Sequence, residues 1–185
     1  MRVIAGSAKG TRLTPPKDQS ARPTLDRVRE ALFSILGERI VEARVLDLYA
    51  GTGAIGIEAL SRGAAGCDFV ESARAGAALI AENLNRAKLG DRARIYPFRL
   101  PEGLSGLSKQ GAAYEFIYAD PPFEYTDYGA LLADIAALDL LSAEGILVIE
   151  HDSKSDLGEN SAGLRRFREA VYGRTTLSFY EADQD

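Results

Sequence analysis

The sequence predicts an α/β fold: a mostly parallel seven-stranded sheet with helices on both faces, closed by a C-terminal antiparallel hairpin and preceded by a small N-terminal β appendage. Three observations carry this reading. From Arg44 onward, short apolar runs alternate with helical stretches five times, the pattern written by parallel strands buried on both faces. The first run, LDLYAGTGAIG, breaks into three glycines where a strand of such a sheet must turn into its helix. Near the C-terminus, GLRRFREAVYGRTTLSFYEA holds two β-type runs joined through Tyr172, Gly173 and Arg174, which fits an antiparallel pair at one edge.

Taken in order, residues 1–22 contain the short pieces RVIAG and TRL among Gly, Pro and Lys, too little to form a core of their own. We expect them to form a basic β appendage, with residues 23–185 as one domain. That domain begins with a helix over 24–36: Thr24 offers the N-cap, Leu25, Val28, Leu32 and Ile35 recur at helical spacing, and Gly37 supplies the stop. Then follow RVLDLY, a helix from Gly53 to about Ser61, CDFVE, a helix from about Ala73 to Lys88, ARIYPF, a weak Gly-rich turn or helix, EFIYAD, a helix around 127–138, and GILVIE. The polar stretch 152–161 reads as a loop.

Composition narrows the function. At 185 residues with 46% hydrophobic and 26% charged residues, the chain suits a soluble domain with a sizeable core. Its apolar runs fall short of a membrane span, and MRVIAGSAKG lacks the apolar core of a secretory signal, so a cytoplasmic protein is expected. One Cys and one His argue against a disulfide framework and against a Cys/His metal site. The net charge of −5 is unevenly spread: residues 1–29 carry seven Lys/Arg against two acids, leaving the remainder at −10. A basic arm on an acidic body suggests contact with phosphates.

Gly51, Gly53 and Gly56 have the G-x-G-x-x-G spacing that lets backbone approach an adenosine cofactor. Glu71 closes the second strand twenty residues after Gly51, where a carboxylate accepts ribose hydroxyls. Dehydrogenases and methyltransferases share both features. Asp47, inside the first strand, leans toward the latter, because a carboxylate there can face the cationic end of S-adenosylmethionine. The motif YADPPF is more informative. Two prolines fix φ and remove two amide donors, so Asp120 and the Pro121 carbonyl form a rigid pair of acceptors for an exocyclic NH2, with Phe123 as a stacking face. Acceptors on both N–H groups favour a tetrahedral nitrogen whose lone pair can attack a sulfonium methyl.

With these motifs the chain resembles the class I, Rossmann-like S-adenosylmethionine-dependent methyltransferases, and specifically the family that methylates guanine N2 in 16S rRNA, of the small-subunit guanine-966 type. RVIAGSAKGTRL, RPTLDRVREALFSIL, VLDLYAGTGAIGIEALSRGA, FVE, ADPPF, VIEH and YGRTTLSFY carry the resemblance. It implies that Asp47, Tyr49, Gly51, Gly53 and Glu71 line the S-adenosylmethionine site. Asp120, Pro121 and Phe123 would hold a flipped guanine, and Arg2, Lys9, Arg12, Arg22, Thr24 and Arg27 would meet RNA. The implied partner is 16S rRNA within a partly or fully assembled small ribosomal subunit, the implied state a monomer, and no metal or membrane is involved. One departure is Arg99, which stands about where such families place an acid against the adenine amino group. Arginine has no acceptor, so a backbone carbonyl or Glu102 is expected instead. His151 is expected to be a hydrogen-bonded structural residue and Cys67 a small buried apolar one. The competing readings are a nicotinamide oxidoreductase, a DNA adenine or protein glutamine methyltransferase, and a non-catalytic RNA-binding assembly factor.

Overall fold

The computed structural model describes residues 1–16, 26–108, 111, 113–122 and 124–183. It is a three-layer α/β arrangement around one sheet, with strands in the order β3-β2-β1-β4-β5-β8-β7-β6. The parallel half is made by β1 (Arg44–Leu48), β2 (Gly66–Val70), β3 (Ala93–Tyr96), β4 (Tyr114–Ala119) and β5 (Leu141–Asp152). The hairpin of β7 (Leu164–Tyr172) and β8 (Thr175–Ala182) adds antiparallel to β5, as its two apolar runs imply. An eighth strand, β6 (Asn160–Ser161), lies outside β7. The expected count of seven is therefore one short. Two polar residues inside a presumed loop carry no alternation to betray a strand.

Alternate residues of the inner strands feed two apolar layers. Val45, Phe69 and Phe116 join the layer beneath α1 (Asp26–Leu36), α2 (Ala54–Ser61) and α3 (Arg74–Ala87). Leu46, Leu48, Ile117 and Leu147 join the layer beneath α4 (Leu104–Ser108) and α5 (Tyr128–Ala137). The leading helix buries Val28, Leu32, Phe33 and Leu36, each contributing roughly 1.5–3 kcal/mol. It gives way to a 3-10 turn at Gly37, whose φ of 56° opens the left-handed path a side chain resists. Asp127 caps α5, accepting from the Ala130 N–H at 3.3 Å. Cys67 is buried against α2, and burial pushes its thiol pKa up, so it sits as the apolar residue expected.

The N-terminal segment folds back on itself and is fastened to the domain by α2. Its pairing is a single antiparallel bridge between Arg2 and Arg12, because a side chain of α2 takes up the backbone donors a longer strand would use. Glu58, fully buried, accepts from the Ile4 N–H at 2.7 Å and the Ala5 N–H at 3.0 Å. It also takes the Arg62 guanidinium at 2.7 Å. Ser61 receives the Ala8 N–H, and Gly6 lies so close to the Ser61 carbonyl that a Cβ would sit 1.8 Å from it. Val3, Ala8 and Leu13 thereby join the layer beneath α1 and α2. At its far end Thr14 is clasped by Asn83 of α3.

Candidate functional site

The chain runs outward from β1 through β2 to β3, then returns to lay β4 on the other side of β1. The carboxyl ends of β1 and β4 thus flank the point where strand order reverses, where open α/β sheets hold ligands. Both motifs singled out in the sequence are there. The glycine loop follows β1 and Asp120-Pro121-Pro122 follows β4, and the Asp120 N–H points to the Leu48 carbonyl at 3.4 Å.

Close packing of the loop explains its glycines. A Cβ on Gly56 would lie 2.3 Å from Phe69 and 2.6 Å from Cys67, so α2 reaches β2 only because that residue has none. Gly53, with φ 74°, lies just over Ile80 and Phe69, whereas a Cβ on Gly51, with φ 54°, would meet the Tyr49 carbonyl at 3.9 Å, an ordinary contact. Tyr49 adopts φ 56°, which for a bulky residue is held against its preference by the surrounding turn. Asp47 is buried beneath this loop, its Oδ2 accepting from the Gly56 N–H at 3.0 Å. Burial first, and then the charge of Glu71, raise its pKa to about 8 against the opposing Gly56 hydrogen bond. Glu71 caps the loop from the end of β2: one oxygen takes the Gly51 N–H at 2.9 Å, the other the Ala73 N–H at 2.8 Å.

These groups fit an adenosine-bearing cofactor. Each Glu71 oxygen keeps a lone pair for a ribose hydroxyl. The Tyr49 hydroxyl is buried on the side of Tyr125. Arg99, as its lack of an acceptor implies, is exposed and engages its neighbours through its carbonyl, which takes the Gly103 N–H at 2.8 Å. Glu102 lies close enough for its charge to bear on Tyr49. Phe98 packs over Gly103 and Gly106 and against Tyr96.

On the other side of the cleft Asp120 is half-buried and Pro121 buried. Burial, then the carboxylates of Glu150 and Asp47, hold the Asp120 pKa well above the usual carboxylate range. Glu150 was no candidate from the sequence. It ends the buried run of β5, and since Ala119 pairs with Ile149 it stands one strand over from Asp120; its carboxylate accepts from the Tyr118 hydroxyl. Its signal was positional: an acid at the carboxyl end of the strand beside the DPP turn, visible once strand order is known. A row of rings was also missed. Tyr125 stands 6.2 Å from Tyr49 and 5.2 Å from Tyr128, which in turn stands 6.0 Å from His151. His151 itself is held by the Asp152 carbonyl and the Ser178 hydroxyl, each at 2.9 Å, and burial lowers its pKa, in keeping with a structural role.

Arg2, Lys9, Arg12 and Arg27 are all exposed. Arg27 reaches toward the β7–β8 turn, where its guanidinium would lie 3.9 Å from a Cβ on Gly173. Arg22, Thr24 and Phe123 lie outside the described residues. Among the described residues no group of three or more His, Cys, Asp or Glu could hold a metal ion, and no helix is long and apolar enough to cross a membrane.

Comparison with known proteins adds the context of relatives. The family described as "Conserved hypothetical protein 95" matches residues 1–181. The Escherichia coli (strain K12) protein named ribosomal RNA small subunit methyltransferase D is 35% identical over 186 residues, covering 99% of this chain and 90% of that one. Among solved structures, a hypothetical protein of Thermus thermophilus superposes with a TM-score of 0.85 at 32% identity, over 98% of this chain and 99% of that one. An RNA methyltransferase from Salinibacter ruber, solved in complex with S-adenosyl-L-homocysteine, shares the fold with a TM-score of 0.69 at 17% identity, over 89% and 95% of the two chains.

Proposed function

Because the chain belongs to the conserved hypothetical protein 95 family, we propose that it transfers a methyl group from S-adenosylmethionine to the exocyclic N2 of a guanine in 16S rRNA, of the guanine-966 type, within the small ribosomal subunit. The 35% identical relative named as a small-subunit rRNA methyltransferase supports the substrate class. The observation that carries the choice of guanine is the pair of carboxylates, Asp120 and Glu150, at the ends of adjacent strands. The Watson–Crick edge of guanine offers N1–H and N2–H2 donors side by side. Adenine carries no hydrogen at N1 and so offers the second acid nothing to accept.

S-adenosylmethionine supplies, when bound, a methyl group made electrophilic by its sulfonium. Glu71 would hold the ribose hydroxyls, Gly51 and Gly53 would let the backbone close on the cofactor, Tyr49 would direct its hydroxyl there, and Asp47, its ionised form favoured by the bound cation, would contribute negative charge from beneath the loop. Asp120 and the Pro121 carbonyl accept the two N2 hydrogens, orienting the nitrogen lone pair in line with the methyl, and the N2 proton displaced on methylation leaves to Asp120 or to water. Phe123 supplies the face on which the extruded base stacks. With the base in place Asp120 acts as a carboxylate, since only the ionised form is an acceptor at both oxygens. Exposed Arg2, Lys9, Arg12 and Arg27 neutralise RNA phosphates, with Arg22 and Thr24 beside them in sequence.

The test is direct. Methyl-labelled S-adenosylmethionine is incubated with small subunits from cells lacking the enzyme, and the RNA is digested to nucleosides. Label should appear in N2-methylguanosine and vanish in Asp120→Ala. Label in N6-methyladenosine would overturn the guanine reading, and a protein that binds the cofactor yet leaves unmodified subunits unlabelled would be an assembly factor.

A further inference from the structure

Asn83 of α3 is fully buried and takes no part in the chemistry described above, yet its carboxamide makes three hydrogen bonds, all to backbone of two other segments. Its Oδ1 accepts from the Thr14 N–H at 2.7 Å, and its Nδ2 donates to the Thr14 carbonyl at 3.2 Å and to the Thr52 carbonyl at 3.0 Å. Thr52 lies between Gly51 and Gly53 in the cofactor loop. Thr14 ends the basic N-terminal hairpin, two residues beyond the Arg2–Arg12 bridge. A second thread runs alongside: the Thr52 hydroxyl meets the Met1 sulfur at 3.9 Å, and the Met1 carbonyl takes the Leu13 N–H at 3.2 Å. The Thr14 hydroxyl is tied to α3 as well, donating to Glu82 at 2.8 Å.

We infer that Asn83 is a positioning residue that couples the cofactor loop to the basic hairpin, so that filling the cofactor site orders the surface that meets RNA. This rests on the function proposed above. The amide is suited to the task because it is uncharged, bears acceptor and donors on one rigid plane, and in a buried setting cannot exchange any of its bonds for water without penalty. A shift of the Thr52 carbonyl is therefore felt at Thr14. Coupling of this kind is reciprocal: whatever the cofactor does for RNA affinity, RNA does for cofactor affinity.

The coupling is read without catalysis. With S-adenosylhomocysteine as the probe, its binding measured by calorimetry, amide hydrogen exchange is followed over residues 1–14. In the wild type, saturation should slow exchange at the hairpin amides of Val3, Gly10, Leu13 and Thr14 by about fivefold or more, the lower end of ordinary site-to-site coupling. Asn83→Leu, close in size, loses the acceptor and both donors; it should bind the probe and leave exchange at Val3, Gly10 and Leu13 within about twofold of the probe-free variant. Wild-type protein that binds the probe with hairpin exchange unchanged would overturn the inference alone, whatever the variant does. Wild-type protein that fails to bind the probe would overturn the proposed function with it. Equal protection in wild type and variant would remove Asn83 from the coupling.

Discussion

Replacing Asp47 by Asn should stabilise the free protein, and by an amount that depends on pH. The carboxyl is buried under the glycine loop with its pKa raised from the ordinary 3.8 to about 8. At neutral pH the folded chain must therefore carry it protonated, while in the unfolded chain it ionises freely. A group with a raised folded pKa contributes most below its unfolded value and loses that contribution as pH rises to the folded value. Each tenfold step in protonation is about 1.4 kcal/mol, and pH 7 lies about three such steps above 3.8. Asparagine keeps an acceptor for the Gly56 N–H and never ionises. The variant should gain up to about 4 kcal/mol at pH 7 but only about 2 kcal/mol at pH 5, less whatever its second amide hydrogen loses by lacking a partner. Urea titrations of both proteins at pH 5, 6, 7 and 8 measure this directly. Stability curves that run parallel from pH 5 to 8, with no widening gap, would refute the reasoning, because they would mean that Asp47 is ionised in the fold. The same change should weaken S-adenosylmethionine binding, because a bound cation favours the ionised form of Asp47, which asparagine cannot supply, a trade of function for stability at one atom.

Two further changes test other parts of the site. Glu150→Gln removes the like charge that helps to raise the Asp120 pKa; the acid limb of the methylation rate should move to lower pH, and an unmoved limb would show that Glu150 does not bear on Asp120. Gly56→Ala forces a methyl to within 2.3 Å of Phe69 and 2.6 Å of Cys67, so thermal unfolding should show a loss of about 1–3 kcal/mol or more, and wild-type stability would mean that α2 can withdraw from β2 at no cost.

Much of this architecture can be read along the chain, because its signals are local. The leading helix shows in the spacing of Val28, Leu32 and Ile35 with the stop at Gly37, and the parallel strands show as apolar runs ending in Asp47-Leu48, Glu71 and Asp120. Those ends matter because strand termini are where an α/β sheet places its ligands, so Gly51, Glu71 and Asp120 could be named before any coordinate. Features that depend on strand order could not. Glu150 becomes a neighbour of Asp120 only when β5 is laid beside β4, and Tyr125 joins Tyr49 only across the cleft. Asn83, one polar residue in a helical run, reveals nothing until Thr14 is found against it. The N-terminal pieces alternate as strands do, yet Glu58, 53 residues beyond Ala5, takes the donors that pairing would need. A buried acid on a distant helix leaves no mark in the local pattern.

The outer end of the sheet has a consequence for the protein in concentrated solution. A parallel core this apolar would, at an open edge, be a template for joining one molecule to the next. Here the rim is built to refuse such a match. The outermost strand is two residues long, the register of β7 slips between Arg166 and Arg168, and β7 carries Arg165, Arg166, Arg168 and Glu169 along its length. Short edges, bulges and closely spaced charge each discourage another chain from adding itself. Molecules of this protein should not join edge to edge along β6 and β7 at concentrations where a flat, apolar edge would already be growing fibres.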